Sequence, residues 1–472
     1  MKNYYVSKYL NIIPLKDTYL LFNGFNGCID EVSKEMGQLL SNKDKVVSSQ
    51  DIADVEIEFL QRRGHVTNLT PEEEKKEFVK FVKKIDEFNL KNDFSECNLM
   101  LLLSYACNLN CYYCYQKPIR GKKENKVMTK EFVDQLFGIY FEKLYRDVSR
   151  EDLDITLYGG EPFLKRNRDV VERVLEYSNK YSINVGAISN CTQLEHYLDL
   201  VGPLPGQINF IQVSIDGNQE DHDTSRVSEP GKPTFDTIVR NIHLMLDRKV
   251  KLNIRINIDA NSLEKLAFLY DFLEKEEILN HPYAYIYLHP LHNHFKQTDD
   301  SSFVGHMEAA ATIESINIKS KIRHPIRRKA EGLAYLMKIQ RGIPFRKTRF
   351  CMQNIPNNFL IDPYGDIYGC YEEAGRDDYK IGYLKNGEVY FNSLREDYLN
   401  RNLLNLDKCL ECSISLLCAG ECGVQARENN GSIYNPYCST RKDEIYEAIK
   451  YIYTEREQDD RIDSLNFLFP HL

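Results

Sequence analysis

Between residues 98 and 295 the sequence alternates six times between strand-like and helix-like stretches. Such alternation predicts a parallel sheet with crossover helices, which we expect to curl into a partial (β/α)6 TIM-like barrel. In barrels of this kind the chemistry takes place at the carboxyl ends of the strands. The predicted strands are residues 99–104, 154–158, 184–189, 208–215, 251–258 and 283–288.

A small α+β module is predicted before the barrel, in residues 1–70. "KYLNIIP" and "TYLLFNG" are strand candidates, and "DEVSKEMGQLL" is an amphipathic helix. A second helix in "SQDIADVEIEFLQRRG" has Ser49 as its predicted cap and Gly64 as its stop. This order resembles a winged helix-turn-helix. The apolar face of the first helix comprises Val32, Met36, Leu39 and Leu40.

The remaining segments complete the predicted domain organisation. Thr70, Pro71 and Glu73 form the start of a helix that bridges residues 71–97. Residues 296–345 are a helical linker whose basic run, "KSKIRHPIRRK", is either a solvated helix face or a contact for an acidic peptide. Residues 346–445 form a cysteine-rich domain, and residues 446–472 form a C-terminal tail.

Charge and hydropathy exclude several classes of protein. The net charge is −9 over 472 residues, and residues 1–70 carry 8 basic and 9 acidic side chains, so nucleic-acid binding is not expected. A long apolar run and a secretory signal are both missing, which predicts a cytoplasmic chain without a membrane partner.

The 13 cysteines are unevenly distributed. Three fall within residues 107–114 and seven within 351–438, whereas Cys28, Cys97 and Cys191 stand alone without an assigned role. Clustered thiols in a cytosolic chain favour metal sites over disulfides.

The first cysteine group is the loop "SYACNLNCYYCYQ", which follows the first barrel strand. Cys107, Cys111 and Cys114 supply three thiols, whereas zinc sites usually have four ligands. A [4Fe–4S] cluster has four irons, so three thiolates leave one iron for an external ligand. The alternatives are zinc or unpaired core thiols. The C-x3-C-x2-C spacing at this place resembles the radical S-adenosylmethionine (SAM) enzymes.

That resemblance implies a SAM site at the strand ends. Gly159, Gly160 and Glu161 of "YGGEP" would meet the methionine amino group. Ribose and carboxylate contacts would come from the third and fourth strand ends, where Cys191 replaces the glycine of the family's Thr-Asn-Gly. Two residues would flank the adenine, of which Tyr113 has a core aromatic as its alternative. The strand-end residues are Ser189, Asn190, Ser214, Asp216 and Arg226, and the adenine-flanking residues are Tyr113 and Leu288.

The second cysteine group resembles the SPASM extension of peptide-modifying radical SAM enzymes, with a zinc ribbon as the alternative. The resemblance implies two auxiliary [4Fe–4S] clusters, and three clusters in all. An outer cluster would have four ligands: Cys409, Cys412, Cys418 and Cys438. An inner cluster would have three: Cys351, Cys370 and Cys422. Because "CMQNIPNNF" lacks a further cysteine, the inner cluster is hypothesised to keep an open iron for a substrate thiol or water.

Acid/base candidates follow Cys370. Anaerobic sulfatase maturases have a basic Asp at the next position, where this chain has Tyr371, followed by Glu372. This difference counts against a sulfatase maturase and makes Tyr371 or Glu372 the candidate proton acceptors. The histidines of "LHPLHNH" are either substrate contacts or exposed loop residues.

The favoured function is a radical SAM/SPASM maturase of a ribosomally made peptide. Residues 1–70 resemble the precursor-recognition element, which binds a leader peptide as an added strand. A Cys thioether is the first expectation and a carbon–carbon or carbon–oxygen crosslink the second. A sulfatase maturase, a small-molecule dehydrogenase and a zinc-dependent transcription factor are the rivals. An external electron donor such as flavodoxin or ferredoxin is also expected.

Overall fold

A computed structural model describes residues 4–43, 46–92, 97–123, 126–146, 148–149, 152–228, 231–292, 295, 303–319, 346–438 and 440–455. The chain forms two compact units. The first contains residues 1–93, 330–355 and 398–472, and the second contains 94–329 and 356–397. The predicted cysteine-rich stretch therefore contributes to both units. The basic run beyond Lys319, and also His294, lie outside the described residues.

The N-terminal part of the first unit is an α+β module, as predicted. One antiparallel sheet has the order β2-β3-β4, and a smaller one has the order β5-β1-β6. Within the described residues, the outer strands of both sheets pair with a neighbouring strand on one side only. The strands are β1 (Tyr4–Val6), β2 (Leu10–Pro14), β3 (Thr18–Asn23), β4 (Ile29–Ser33), β5 (Val46–Val47) and β6 (Val66–Thr67).

Two helix starts in this module differ from prediction. The first helix begins at Lys34, capped by Ser33, because residues 29–33 pair with β3. Val32 nevertheless packs against the same core cluster as the helix. The second helix begins at Asp54, so Ser49 is not its cap. The carboxylate of Asp51 instead accepts the N–H of Ser48 in a preceding turn.

The predicted end of the second helix and the predicted start of the following helix are both confirmed. Gly64 follows the second helix with φ +76°, a conformation that glycine adopts without steric cost. The next helix is Pro71–Asn92. Its capping box is present: Glu73 accepts the N–H of Thr70 at 2.9 Å and donates its own N–H to the Thr70 hydroxyl at 3.3 Å.

The cysteine-rich helices of the first unit pack against this module. Asn11 Nδ2 donates to the carbonyl of Ser413 at 3.1 Å, and Tyr9 Oη donates to that of Leu410 at 3.0 Å. The helix Arg441–Glu455 contributes to the same core, so the predicted tail begins inside a helix. The buried residues of this core are Ile13, Leu20, Phe22, Ile414, Leu417, Ile445 and Ile449.

The second unit contains the predicted parallel sheet. Its order is β12-β11-β10-β9-β8-β7-β13-β14-β15-β16, and the strands from β7 to β12 are parallel. β13 adds a parallel neighbour to β7, from which three antiparallel pairings extend the sheet. The strands are β7 (Cys97–Leu102), β8 (Leu153–Tyr158), β9 (Asn184–Ile188), β10 (Ile208–Ile215), β11 (Lys251–Ile258), β12 (Ala284–Pro290), β13 (Asn358–Ile361), β14 (Asp366–Tyr368), β15 (Lys380–Lys385) and β16 (Glu388–Phe391).

Helices connect successive barrel strands, and the parallel pairing brings all six carboxyl ends to one edge. Among the described residues, none of the helices combines the length and apolarity needed to cross a membrane. The described α-helices are Lys34–Leu40, Asp54–Arg62, Pro71–Asn92, Lys117–Lys123, Lys130–Gln135, Phe141–Leu144, Arg168–Tyr181, Gln219–Ser225, Phe235–Asp247, Ala260–Leu263, Leu266–Lys275, His306–Lys319, Ser393–Asn400, Asp407–Leu410, Ser415–Cys418, Gly423–Asn430 and Arg441–Glu455.

Candidate active site at the carboxyl edge of the barrel

The three-cysteine loop follows β7 and is fastened by Arg120. The guanidinium donates to the carbonyls of Leu109 at 2.7 Å and Cys107 at 2.9 Å. Burial raises the pKa of Cys107 to about 12 and that of Cys111 to about 11. Cys114, the third thiol, is half-buried. The raised pKa values keep these thiols protonated and therefore unreactive, and a metal bound by them would displace their protons.

The Gly-Gly-Glu turn after β8 lies directly against this loop. The N–H groups of Gly160 and Glu161 donate to the carbonyls of Ser104 and Ala106 at 2.9 and 2.8 Å. A Cβ on Gly160 would lie 2.2 Å from the carbonyl oxygen of Ala106, and one on Gly159 would lie 2.5 Å from that of Ser104. Glycine is therefore required at both positions by the close approach of two backbones.

The Glu161 side chain joins the ends of β8 and β9. It is 1% exposed and accepts the hydroxyl of Ser189 at 2.6 Å and the N–H groups of Asn190 and Phe163 at 2.7 and 2.8 Å. Burial raises the pKa of Glu161, and these donors oppose the shift. In the described structure the carboxylate thus supports the β9 end.

The end of β9 in turn contacts the cysteine loop. Asn190 Nδ2 donates to Asn108 Oδ1 at 3.0 Å and lies 3.7 Å from the sulfur of Cys107. Cys191 has φ +56°, a left-handed conformation that glycine adopts without steric cost.

A buried polar cluster links the loop to the ends of β10 and β11. The hydroxyl of Tyr113 donates to Asp216 and accepts from Arg226 Nη1 at 2.7 Å. Asn257 Nδ2 donates to the other oxygen of Asp216 at 2.9 Å. Arg226 Nε is buried and has no hydrogen-bond partner in the described structure. The sequence analysis did not identify Asn257. A polar side chain near the end of an otherwise apolar strand could have indicated it.

A cavity of about 380 Å³ opens beside this cluster. Tyr113 and Asp216 line it, as do Asn257 and Asp259, and Leu291 rather than Leu288 supplies its aliphatic wall. Leu288 is buried within β12, opposite Ile256. Ser214 lies within β10, opposite Arg255.

Arg255 extends the polar cluster along the sheet face that carries Asn257. Its Nε donates to Asn257 Oδ1 at 2.8 Å, and its Nη2 lies 2.9 Å from His289 Nδ1. Because strand residues two apart share a face, Arg255 and Asn257 lie on one side of β11 and the buried isoleucines on the other. His289 therefore has a side-chain partner within the barrel, and His292 lies beside it with 5.3 Å between the ring centroids.

Tyr371 lies in a group of tyrosines, 6.0 Å from Tyr158 and 6.4 Å from Tyr115 between ring centroids. Burial raises the pKa of Tyr371 well above its usual value, and Glu372 and Cys370 add to the shift. Glu372 follows in the same short turn and is half-buried.

Four thiols of the first unit interact with one another. Burial raises the pKa of Cys409, and its three neighbours raise it further. Among the described residues, no group of three or more Cys, His, Asp or Glu side chains is placed so that it could hold a single metal ion. The neighbours of Cys409 are Cys412, Cys418 and Cys438.

Comparison with known proteins gives the family. Residues 101–273, which contain the three-cysteine loop and the polar cluster, match the family model described as Radical SAM superfamily. The chain contains a radical SAM domain.

Relatives of this radical SAM enzyme include two kinds of protein. The cysteine-type anaerobic sulfatase-maturating enzyme of Clostridium novyi (strain NT) is 23% identical over 377 residues, 72% of this chain and 91% of the relative. The structure of native anSMEcpe with bound AdoMet has a TM-score of 0.56 at 18% identity, covering 75% of this chain and 96% of the other. Streptococcus suis SuiB bound to precursor peptide SuiA has a TM-score of 0.50 at 15% identity, covering 92% and 99%.

The residues of this radical SAM enzyme fit the cofactors of its family. Three closely spaced thiols suit a [4Fe–4S] cluster with one open iron. The unpartnered Nε of Arg226 suits a carboxylate beside the cavity. A [4Fe–4S] cluster and SAM bound here would supply radical hydrogen-abstraction chemistry, while the surrounding residues would orient the reactants and exclude water.

Proposed function

We propose that this radical SAM enzyme forms an intramolecular crosslink in a ribosomally made precursor peptide. The first choice is a thioether between a cysteine sulfur and an unactivated carbon. One hydrogen of that carbon goes to 5′-deoxyadenosine, the thiol proton goes to solvent, and the remaining electron returns to an iron–sulfur cluster. A carbon–carbon or carbon–oxygen crosslink is the second choice.

The extent of the fold match carries this proposal. The sulfatase maturase structure covers 75% of this chain, whereas the SuiB structure covers 92%. The larger match belongs to a protein that was solved with its precursor peptide, as its description states. The wider coverage by SuiB supports a precursor-peptide maturase as the first choice.

Leader binding is proposed for residues 1–70. The sheet β2-β3-β4 ends at two edges, and an extended peptide can extend such a sheet through main-chain hydrogen bonds. Binding of this kind needs no basic surface, in agreement with the net charge of −1 that 8 basic and 9 acidic residues give this segment.

The cofactor roles are proposed as the resemblance implies. Cys107, Cys111 and Cys114 hold the SAM-binding cluster, and Tyr113 and Leu288 flank the adenine. The other proposed SAM contacts are Gly159, Gly160, Glu161, Ser189, Asn190, Ser214, Asp216 and Arg226. Cys409, Cys412, Cys418 and Cys438 hold an outer auxiliary cluster. Cys351, Cys370 and Cys422 hold an inner one with an open iron for the substrate thiol. A flavodoxin or ferredoxin supplies the electrons, and the thiol-rich sites call for a reducing compartment such as the cytoplasm.

A sulfatase maturase is the second candidate. The relative from Clostridium novyi, 23% identical over 72% of this chain, favours it. The protonated phenol of Tyr371, at the position where these enzymes have a basic Asp, counts against it. The two functions differ in their substrates, so one experiment separates them.

The experiment is anaerobic incubation of the reconstituted full chain with SAM, reductant and the small peptide encoded beside its gene. Accurate mass and thiol alkylation then follow the peptide. We expect each modified site to lose two hydrogen atoms and one alkylatable cysteine, with 5′-deoxyadenosine formed. A parallel reaction contains a sulfatase peptide with Cys at the modified position, and aldehyde formation there alone would favour the second candidate.

Two variants make the result specific. Cys107→Ala removes a proposed ligand of the SAM-binding cluster and should abolish both 5′-deoxyadenosine and the crosslink. Cys28→Ala removes a thiol without an assigned role and should leave both unchanged. Release of 5′-deoxyadenosine with an unmodified precursor peptide would contradict the peptide assignment while retaining the radical chemistry.

A further inference from the structure

Arg401 is the largest fully buried side chain among the described residues, with 0% exposure. It lies in the first unit, just after the helix Ser393–Asn400. Its Nε donates to the carbonyl of Ile433 at 2.7 Å, and its Nη2 donates to that of Gly420 at 2.7 Å. Its Nη1 is buried and has no hydrogen-bond partner in the described structure.

No described carboxylate forms an ion pair with this guanidinium. Another buried arginine of the same unit shows the usual solution, because Arg349 pairs with the carboxylate of Asp86 at 2.9 Å. A buried charge without a counter-charge costs several kcal/mol. An arginine at this position therefore indicates an anion that the polypeptide supplies in some other form.

The sulfur of Cys409 lies near Arg401. A Cβ built on Gly420 would lie 3.4 Å from Cys409 Sγ and 3.7 Å from Arg401 Nη2, so the sulfur and the nitrogen lie within about 7 Å of each other. A Cβ built on Gly423, which follows Cys422, would lie 3.4 Å from Arg401 Nε, and four cysteines are near enough to influence the charge of this guanidinium. These four are Cys351, Cys422, Cys409 and Cys418.

The four cysteines belong to two different proposed ligand sets. Cys409 and Cys418 are proposed for the outer cluster, and Cys351 and Cys422 for the inner one. Gly420, which accepts the hydrogen bond from Nη2, lies between Cys418 and Cys422 in the chain. Arg401 thus contacts the segment that connects the two sets, and Nη1 remains available to donate to a cluster sulfur.

We infer that Arg401 is the shared counter-charge of the two auxiliary clusters, a positioning residue that favours their assembly and raises their reduction potentials. The inference rests on the proposed presence of these clusters. Thiolate ligands give each cluster a net negative charge, and reduction adds one more electron. A nearby fixed cation stabilises the reduced form more than the oxidised form because the attraction grows with the negative charge.

The test is a redox titration monitored by electron paramagnetic resonance on the full chain. A background with Cys107, Cys111 and Cys114 all changed to Ala restricts the signals to the auxiliary clusters. In this background Arg401→Met should favour the oxidised form of at least one cluster by a factor of ten or more. For a one-electron couple this is a downward shift of about 59 mV or more. Arg401→Lys retains the charge and should shift the potential by less than half as much.

Arg395→Met is the matched control. Arg395 is also buried, at 8% exposure, but it lies in the second unit over the rings of Phe359 and Phe391. Its removal should leave both potentials unchanged. Iron content and the far-ultraviolet circular dichroism spectrum are measured for every variant, so assembly and folding are followed separately from the potential.

Each outcome decides between alternatives. Loss of auxiliary iron from Arg401→Met with retention in Arg401→Lys would support the charge requirement. Equal iron and equal potentials in Arg401→Met and the unsubstituted background would overturn the inference. Loss of iron from both variants would also overturn it, because geometry rather than charge would then be decisive. A background that binds no iron would instead refute the proposed auxiliary clusters themselves.

Discussion

The carboxylate of Glu161 accepts a hydrogen bond from the hydroxyl of Ser189, with 2.6 Å between the two oxygens. This contact connects the turn after β8 to the end of β9, and Asn190 continues the connection to Asn108 in the cysteine loop. Three donors offset the buried charge of Glu161. The site therefore depends on this carboxylate even before any cofactor is bound.

Replacing Glu161 with Gln should weaken this connection. The amide nitrogen cannot accept a hydrogen bond, so at least one of the three donors loses its partner. We expect the free energy of unfolding to fall by about 1–3 kcal/mol, as measured by urea denaturation followed by circular dichroism. SAM affinity, measured by equilibrium dialysis, should fall as well.

Glu264→Gln provides the comparison for this variant, since Glu264 is exposed in the same unit. It should change neither the unfolding free energy nor SAM binding measurably. Equal effects of the two substitutions would show that the buried hydrogen bonds of Glu161 are not limiting.

Gly160→Ala should prevent the cysteine loop from closing. The new methyl group would lie 2.2 Å from the carbonyl oxygen of Ala106, which belongs to the backbone and cannot rotate away. We expect loss of the SAM-binding cluster. The chain should then contain about four fewer irons, and SAM addition should no longer change its electron paramagnetic resonance spectrum. Gly138→Ala, where nothing lies within 4 Å, should keep the iron and be stabilising by about 0.5–1 kcal/mol. Normal iron in Gly160→Ala would contradict the close backbone approach.

Much of the barrel was predictable from sequence because its strands are buried on at least one face and separated by periodic helices. Predictions for β10 and β11 match the observed bounds, Ile208–Ile215 and Lys251–Ile258. The Thr70 capping box was also predictable, because its hydrogen bonds join residues only three apart in the sequence.

Features that depend on distant contacts could not be predicted in this way. β13 joins β7 across more than 250 positions of sequence, so its place in the barrel sheet leaves no local pattern. Ser49 looked like a helix cap, but the local Asp51–Ser48 turn delayed the helix to Asp54. Asn257 and Arg255 belong to the polar cluster because of register, which single-sequence periodicity cannot assign.

Replacing either partner of the ion pair between Arg349 and Asp86 should strongly lower the free energy of unfolding. Both side chains are less than a tenth exposed, and two hydrogen bonds of 2.9 Å join them. Arg349→Met leaves the carboxylate buried without its cation, so we expect a loss of about 3–5 kcal/mol in urea unfolding. Changing Asp86 to Leu in addition should recover part of that loss.

Lys275→Met tests an exposed pair by the same assay. Lys275 and Asp271 lie 2.8 Å apart with side chains 73% and 52% exposed. The expected loss is below about 1 kcal/mol, because solvent screens the attraction. A loss as large as that of Arg349→Met would contradict the role of burial.

His222 should make stability dependent on pH below neutrality. Its Nδ1 accepts the N–H of Asp216 at 3.2 Å, and its Nε2 lies 3.1 Å from the hydroxyl of Thr234. Burial and the nearby Arg226 lower the pKa of His222 to about 3. The folded protein thus keeps the imidazole neutral, whereas the unfolded chain binds a proton below its ordinary pKa of about 6.5.

Because the unfolded state then binds more protons, the contribution of His222 to the free energy of unfolding is complete above about pH 6.5 and is lost as pH falls. Between about pH 7 and pH 5.5 this group should remove about 1 kcal/mol from the unfolding free energy. His222→Gln should show a correspondingly flatter pH dependence in urea unfolding, whatever its stability at pH 7. An unchanged slope in His222→Gln would mean that the folded protein protonates His222 as readily as the unfolded chain does.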